Sequence, residues 1–341
     1  NAGFSIVKYT GSGADMKVPH GLSAAPDMLI VKGLETTNDW SVLHKDGSNG
    51  DFLQLNGSSA ESGAGSIFGS TFTRPTATVF TVGNTGETGT ADKKYIAYCF
   101  HDVTGYQKFG SYTGNGGNNR SITGLGFKPD FVMIKATSIS SDWSVFDSRR
   151  SGNKTLAAQA DAAEVTDDSN GYISSFDSDG FTTQVGSSDD VNVNNFNETY
   201  IYWAIAKNVP SNTTLANSFN AAFYAGSSTD GRTISTFGFK PDLIWTKELT
   251  GSDRHVLMDT LRGTQSQISS INSDAQTTFS SNLTSFNSNG VTIGSATETN
   301  GIDNSYIAWG WKPGNTWQSN IDGATSSIVN ANTANGFSIV K

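Results

Sequence analysis

PDMLIVK at residues 26–32 decides the fold, because the phrase returns as PDFVMIK at 129–135 and as PDLIWTK at 241–247. Each copy is a proline and an aspartate followed by an apolar run that ends in lysine. Two further markers keep the same order. Tyr-Thr-Gly-Ser-Gly at 9–13 returns as Tyr-Thr-Gly-Asn-Gly at 112–116 and, weakened, as Tyr-Ala-Gly-Ser-Ser at 224–228. Tyr-Ile with aromatics stands at 95–100 (YIAYCF), 200–205 (YIYWAI) and 306–311 (YIAWGW). The prolines fall at 26, 129 and 241 and the Tyr-Ile tyrosines at 95, 200 and 306. One period of roughly 105 residues governs them all, which is the signature of a repeat array.

Units of this length are large enough to bury a core each. The markers place them at 1–107, 108–212 and 213–313, with 314–341 as a linker and the first strand of a fourth copy. NGFSIVK at 335–341 copies GFSIVK at 3–8. The expectation is a piece of a longer array, or one triad of a super-repeat. Linkers this short imply units stacked in a row rather than swinging freely.

Within a unit the apolar residues come in short bursts (FSIVKY, MLIVK, WSVLH, TVFTV, YIAYCF) bounded by Gly, Asn, Asp and Ser. Such bursts read as strands of a sandwich. The fold class is therefore all-β: three tandem β-sandwich domains, jelly-roll or concanavalin-like. LAAQADAAE at 156–164 is the one helix-like stretch and reads as a loop insertion. SFDSDGFTTQVG at 175–186 aligns with SFNSNGVTIG at 285–294, so Asp179-Gly180 and Asn289-Gly290 predict hairpins with type I′ turns. Each Pro-Asp pair sits just before a strand, where the missing proline N–H costs no ladder bond.

Charge excludes some functions. The balance is 22 Lys and Arg against 31 Asp and Glu, net −9, with the cations scattered singly. No basic stripe exists to displace counterions from nucleic acid. Only 16% of residues are charged and 37 are glycine, so the surface is solubilised by hydroxyls and amides, which suits an exterior protein. The one cysteine, Cys99, lies inside an apolar strand and reads as a buried inert thiol. No apolar run reaches the length of a membrane-spanning helix.

Sister positions test each candidate site. His20 aligns with Thr123 and Ser235, and none of His20, His44, His101 and His255 stands at metal-ligand spacing from another. The acidic pairs Asp167/Asp168, Asp177/Asp179 and Asp189/Asp190 are the route to a glycosidase. Asp177 and Asp179 become Asn287 and Asn289 in the third unit, which a turn tolerates and a general acid does not. Asp-x-Asp-Gly also resembles part of a calcium loop without its distal Glu, leaving calcium as the one cofactor to consider. Asp-Trp-Ser-Val occurs at 39–42 and 142–145 and aligns with Asp253-Arg254-His255-Val256. Trp40 and Trp143 either fill the sandwich or stack on a sugar. With Asp177 and Asp179 they are the candidate ligand contacts. Asp147 with Arg150 and Asp259 with Arg262 read as surface ion pairs that pin a turn and are worth little energetically.

Taken together, GFSIVKYTGSG…VPHGL…PDMLIVK with YIAYCF (3–100), GYQKFGSYTGNG…GFKPDFVMIK…DWSVFDSRR…YIYWAIA (105–206) and the lead-in at 315–341 resemble repeated modules of phage virion and tail-associated proteins, common in marine phages and carried as a domain of unknown function. The third unit departs most. The resemblance implies a non-enzymatic structural or adhesive part of a tail fibre or virion surface, extracellular, that self-associates and meets other virion proteins and host surface glycans. It offers no catalytic residues. A cellular filament polymerising by strand pairing through FSIVK edges, and a glycan-binding or glycan-degrading module, are the alternatives. Nucleic acid and membrane insertion are not expected.

Overall fold

The computed structural model describes residues 2–188, 191–206 and 218–312, together with the strands at 317–320, 327–332 and 336–340. The first unit contributes β1 (Ala2–Thr10), β2 (Met16–Pro19), β3 (Met28–Gly33), β4 (Ser41–His44), β5 (Asp51–Gln54), β6 (Ser62–Gly63), β7 (Val79–Val82) and β8 (Lys94–Phe100). The second contributes β9 (Gln107–Thr113), β10 (Arg120–Thr123), β11 (Phe131–Ala136), β12 (Ser144–Asp147), β13 (Lys154–Ala157), β14 (Val165–Thr166), β15 (Tyr172–Asp177), β16 (Gly180–Gln184) and β17 (Thr199–Ile205). The third contributes β18 (Phe219–Ala225), β19 (Arg232–Ile234), β20 (Leu243–Glu248), β21 (Val256–Asp259), β22 (Ser266–Gln267), β23 (Thr277–Thr278), β24 (Leu283–Asn287), β25 (Gly290–Ile293), the single helical turn α1 (Thr297–Asn300) and β26 (Ser305–Trp311). Strands β27 (Trp317–Asn320), β28 (Ser327–Asn332) and β29 (Gly336–Val340) follow.

The protein is all-β. Every unit has one large antiparallel sheet, in order β1-β8-β3-β4-β5-β6, β9-β17-β11-β12-β13-β14 and β18-β26-β20-β21. A small sheet covers one face of each: β2-β7, β10-β16-β15 and β19-β25-β24. Each Pro-Asp pair delivers the chain into the second-from-edge pairing in the same way, for Asp27, Asp130 and Asp242 donate their amides to the carbonyls of Phe100, Ile205 and Trp311. The LAAQADAAE stretch is no insertion. Leu156 lies in β13, which pairs with β12 as β5 pairs with β4.

The hairpins at 175–186 and 285–294 form, but their turns differ from expectation. Asp177 pairs with Gly180 and Asn287 with Gly290, so the loops are Ser178-Asp179 and Ser288-Asn289. Neither Asp179 nor Asn289 has positive φ. The glycines are needed for close approach instead: a Cβ on Gly180 would lie 1.9 Å from the Ile122 carbonyl oxygen, and one on Gly290 1.9 Å from that of Ile234.

The apolar runs lack alternation because both faces of each large sheet are buried. Leu29 and Val31 point into the first unit's own core, as Val132 and Ile134 and then Ile244 do in the second and third. Met28 and Ile30, Phe131 and Met133, and Leu243 and Trp245 point the other way, into one core common to all three units. Six of the seven tryptophans lie there: Trp40, Trp143, Trp203, Trp245, Trp309 and Trp311. Phe100 meets Trp203 with ring centroids 4.4 Å apart, Trp203 meets Trp311 at 5.9 Å, and Phe131 meets Trp309 edge-on at 6.0 Å.

The units therefore do not stand in a row. They close into a ring, and the same backbone bond is made at each of three seams: Glu61 N–H to Thr137 O (2.8 Å), Glu164 N–H to Leu249 O (3.0 Å) and Gln276 N–H to Leu34 O (3.0 Å). The third bond joins the last unit to the first. A core shared this way removes the independence of the units. Calorimetry is expected to show one cooperative transition, with Trp309→Ala lowering stability of the whole by about 3–5 kcal/mol. Three resolved transitions, with only one moved by the substitution, would contradict the shared core.

Candidate functional site

The residues singled out from the sequence do not converge. Trp40 and Trp143 are fully buried, so neither presents a face to a sugar. Each instead donates its indole N–H across a seam, Trp40 to Ser269 O (3.0 Å) and Trp143 to Gln54 O (2.8 Å). The third seam corrects the alignment by one residue. Val256 pairs with Thr246, and Leu257 with Trp245, as Val145 pairs with Met133, so His255, not Arg254, holds the tryptophan position. His255 Nε2 lies 3.1 Å from Ala157 O, and Trp245 supplies the missing ring and donates to His255 Nδ1 at 2.8 Å.

Asp177 and Asp179 are spent on local structure. Asp177 accepts the hydroxyls of Ser175 (2.8 Å) and Thr182 (2.7 Å). Asp179 accepts the amides of Gly124 (3.1 Å) and Gly126 (2.6 Å). Both carboxylates brace the β10–β16 end of the small sheet. Asp168 is buried and accepts the Asn170 amide; Asp189 and Asp190 lie outside the described residues. Cys99 is buried, and burial pushes its thiol up to about 12.

The Asp/Arg pairs overturn the surface reading. Both side chains of Asp147–Arg150 (2.7 Å) and of Asp259–Arg262 (2.6 Å) are almost wholly buried. The pairs sit at the seams. Trp309 Nε1 donates to Asp147 (3.3 Å) and Tyr98 OH to Asp259 (3.3 Å), each from a neighbouring unit. Removing one partner strands a buried charge. Arg262→Met is expected to cost about 3–5 kcal/mol in denaturant titrations. The first unit carries His44 and Gly47 at these positions, so Asp147→His with Arg150→Gly together should cost less than Arg150→Gly alone.

The lysine ending each apolar run is a residue sequence reasoning left without a role. Alternation puts Lys32, Lys135 and Lys247 on the shared face, and all three are fully buried. Their ammonium groups are capped by oxygens: Lys32 by Gly33 O, Thr36 O and Ser273 O, Lys135 by Ala136 O, Ser58 O and Ser141 Oγ, Lys247 by Glu248 O and Gly251 O. Burial pushes each down to about 8, opposed by acidic residues that include one from the preceding unit: Asp274, Glu61 and Asp161.

Histidines are held neutral. Burial pushes His20 down to about 4 and His44 to about 3, and drives His255 well below its ordinary value. Unfolded imidazoles titrate near 6.5, so between roughly pH 4 and 6.5 the unfolded chain binds protons that the folded chain refuses, and stability falls as pH falls through that window. Asp242 opposes this: burial raises it to about 6, so the folded chain there keeps a proton the unfolded chain releases. His101 is lowered by burial as well, so four histidines outweigh the one raised carboxyl and stability falls as pH falls from 6.5 toward 4. Urea midpoints measured from pH 7 to pH 4.5 should drop accordingly, and His255→Gln should flatten the drop.

What the fold does present outward is a repeated loop platform at one end of each large sheet. The paired tyrosines Tyr9/Tyr95, Tyr112/Tyr200 and Tyr224/Tyr306 stack with centroids 5.3, 5.2 and 5.4 Å apart. Their hydroxyls lock the loop before β8, β17 or β26. Tyr9, Tyr112 and Tyr224 donate to Thr88 O, Val193 O and Thr299 O; Tyr95, Tyr200 and Tyr306 accept the amides of Thr90, Asn195 and Gly301. A left-handed residue follows each tip: Asp92 (φ 62°), Asn197 (φ 64°) and Asp303 (φ 63°). The tips themselves are Ala91, Phe196 and Ile302, and Phe196 is 72% and Ile302 64% exposed. In a closed three-fold ring equivalent loops lie at the same height, so the three tips share one face. The loops that carry them precede the Tyr-Ile marker in each unit, and the signal in the sequence is one apolar residue among amides and acids, as in NNFNET and NGIDNS.

A second feature is a shallow groove of about 280 Å³ in the first unit, lined by Pro26, Asp27, Leu29, Leu43, Lys45 and Arg74. Its cations are engaged: Lys45 with Asp102 (2.9 Å), Arg74 with His44 O (2.8 Å) and Gly47 O (2.7 Å).

No curated protein and no solved structure matches the chain. A family model does, over residues 1–154, 146–218 and 214–341. With nearly every residue inside one of those three segments, the chain belongs to the family described as Domain of unknown function (DUF7483).

Proposed function

We propose that the chain is a rigid structural and adhesive building block of an exterior appendage, a phage tail fibre or virion-surface protein. The observation that carries this is the closed ring with three equivalent, tyrosine-locked loop platforms on one face, whose scaffold is constant and whose tips differ. A rigid scaffold with variable loop tips is how folds commonly present recognition surfaces. Repeating weak contacts along an array raises avidity without any single strong site. The low charge, the hydroxyl- and amide-rich surface and a stability that owes nothing to disulfides suit work outside a cell. Host surface glycans are the target that such tips would meet, Phe196 offering a ring face in a position that Trp40 and Trp143 do not.

A second reading, a filament built by strand pairing, is favoured by one observation. Strand β29 lies parallel on β1 with Phe337 opposite Phe4, Ser338 opposite Ser5 and Ile339 opposite Ile6, like on like.

Gold-labelled antibody against the purified chain should decorate tails or capsid surfaces of intact particles, and Phe196→Ala with Ile302→Ala should weaken particle adsorption to cells without changing the melting temperature. Unlabelled particles, with helical fibres of this protein alone on cell surfaces, would replace the first reading by the second.

A further inference from the structure

We propose that the groove of the first unit is a binding site for one neutral saccharide residue, held by hydrogen bonds to Asp27, Lys45 and Arg74 against an apolar wall. The site does not depend on the loop tips. Asp27 stands at the Phe100 end of the β3–β8 pair, and the tip at the Tyr95 end.

Comparison with the sister units shows what is different there. The amides of Lys45, Ser148 and Thr260 donate to the carbonyls of Asp27, Asp130 and Asp242, so these three side chains hold one position in the repeat. In the second and third units the residue is a hydroxyl that donates to Oδ1 of its aspartate, Ser148 to Asp130 and Thr260 to Asp242 (2.8 Å). In the first unit it is a lysine, drawn to Asp102 Oδ2 at 2.9 Å and left 3.5 Å from Asp27 Oδ1. Asp27 Oδ2 accepts the Asp102 amide (2.6 Å), while Oδ1 accepts no hydrogen bond among the described residues. The small sheet changes at the same place. Where the sister units have β15 or β24, the first has only β2 and β7, and the loop that replaces the third strand brings Arg74 and Pro75 to the groove.

The lining decides the ligand class. Asp27, Asp46 and Asp102 stand against Lys45, Arg74 and Lys108, so the charges at the groove and its rim balance and draw neither an anion nor a cation. A hydroxyl donates and accepts at once, and Asp27 Oδ1 with Lys45 Nζ offers it one partner of each kind. Arg74, pinned by His44 O and Gly47 O, is a fixed donor with capacity to spare. Pro26, Leu29, Leu43 and Pro75 form the wall on which the C–H face of a ring can lie. The volume of about 280 Å³ falls just under the common range for small-molecule pockets, about 300–1,000 Å³. One ring fits, and the rest of a glycan chain stays in water.

Methyl-resolved NMR of the 341-residue chain, titrated separately with glucose, galactose, mannose and N-acetylglucosamine, should move the Leu29 and Leu43 signals for at least one sugar, with a millimolar dissociation constant. Lys45→Ser installs the second unit's residue, whose hydroxyl closes Asp27, and should weaken binding at least about tenfold. Pro75→Gly, which leaves the ion pairs intact and removes part of the wall, should weaken it about threefold and keeps the test open to failure if Lys45→Ser does not fold. Phosphate and glucuronate titrated alone should leave the signals in place. No response to any of the four sugars, equal binding in both variants, or a response to phosphate instead overturns the inference. Sugar-induced shifts confined to the surroundings of Phe196 would overturn it and leave the tips as the adhesive contacts. Groove binding together with particle adsorption unaltered by Phe196→Ala and Ile302→Ala would sink the tips and leave this site.

Discussion

The structure depends on one constraint: the large sheet of each unit has two apolar faces and only one small sheet to cover them. A β-sandwich of about 105 residues normally leaves one face of each sheet to water, with polar residues alternating outward. Here PDMLIVK, PDFVMIK and PDLIWTK bury every position from the first apolar residue to the lysine. The second face needs a partner, and the partner is the same face of the two other units. Three such faces close on each other, and the tryptophans fill the space between them. The ring is the geometry that satisfies all three at once, since a row would leave the outer units half covered.

That constraint explains the otherwise odd placement of charge. Where the shared face reaches its rim, at the seams, the chain has to end an apolar strand without exposing the core or burying bare polar backbone. Lys32, Lys135 and Lys247 do this by lying along the apolar wall and delivering their ammonium groups to carbonyls of their own and, for the first two, a neighbouring unit. Asp147–Arg150 and Asp259–Arg262 do it with paired charges whose carboxylates also accept an indole or a phenol from next door. Buried pairs of this kind add little net stability over apolar packing, but are costly to break singly. Their use at seams fits registry: a unit rotated by one residue would face a charge without its partner.

Much of this was legible. The repeat, the strands and the two-layer units follow from periodicity and from which residues share a face, whereas Trp40 and Trp143 stay open between core and ligand contact until the seams are seen. The hidden part has physical causes. An aspartate and arginine three apart look the same whether they ride on a surface turn or line a seam, because the sequence does not show what approaches from another unit. The absence of alternation in PDMLIVK was the available sign of double burial, and its terminal lysine the sign of a rim. In sequence Asp253-x-x-Val256 matches Asp-Trp-Ser-Val, whereas the pairing is fixed from the other end, at Asp259 opposite Leu243, which puts His255 in the tryptophan position.

The substitution at that position shows how the ring tolerates drift without losing its shape. In the first two units the tryptophan just ahead of β4 or β12 shares the buried face with Ile30 or Met133, which pair with Val42 and Val145 two residues further on. In the third the large ring has moved to the neighbour as Trp245 and the small one, His255, has taken its place. Volume across the pair is conserved, and so is the donated bond to the preceding unit. What is conserved, then, is the filled gap and the satisfied carbonyl, not the residue. The loop tips behave oppositely: their tyrosine locks are the same in all three units while Ala91, Phe196 and Ile302 differ. A molecule that lets its core residues trade places only when the packing is kept, yet varies its most exposed apolar positions freely on a fixed scaffold, has its shape under one constraint and its contacts under another. That separation is what a structural element with replaceable recognition points requires.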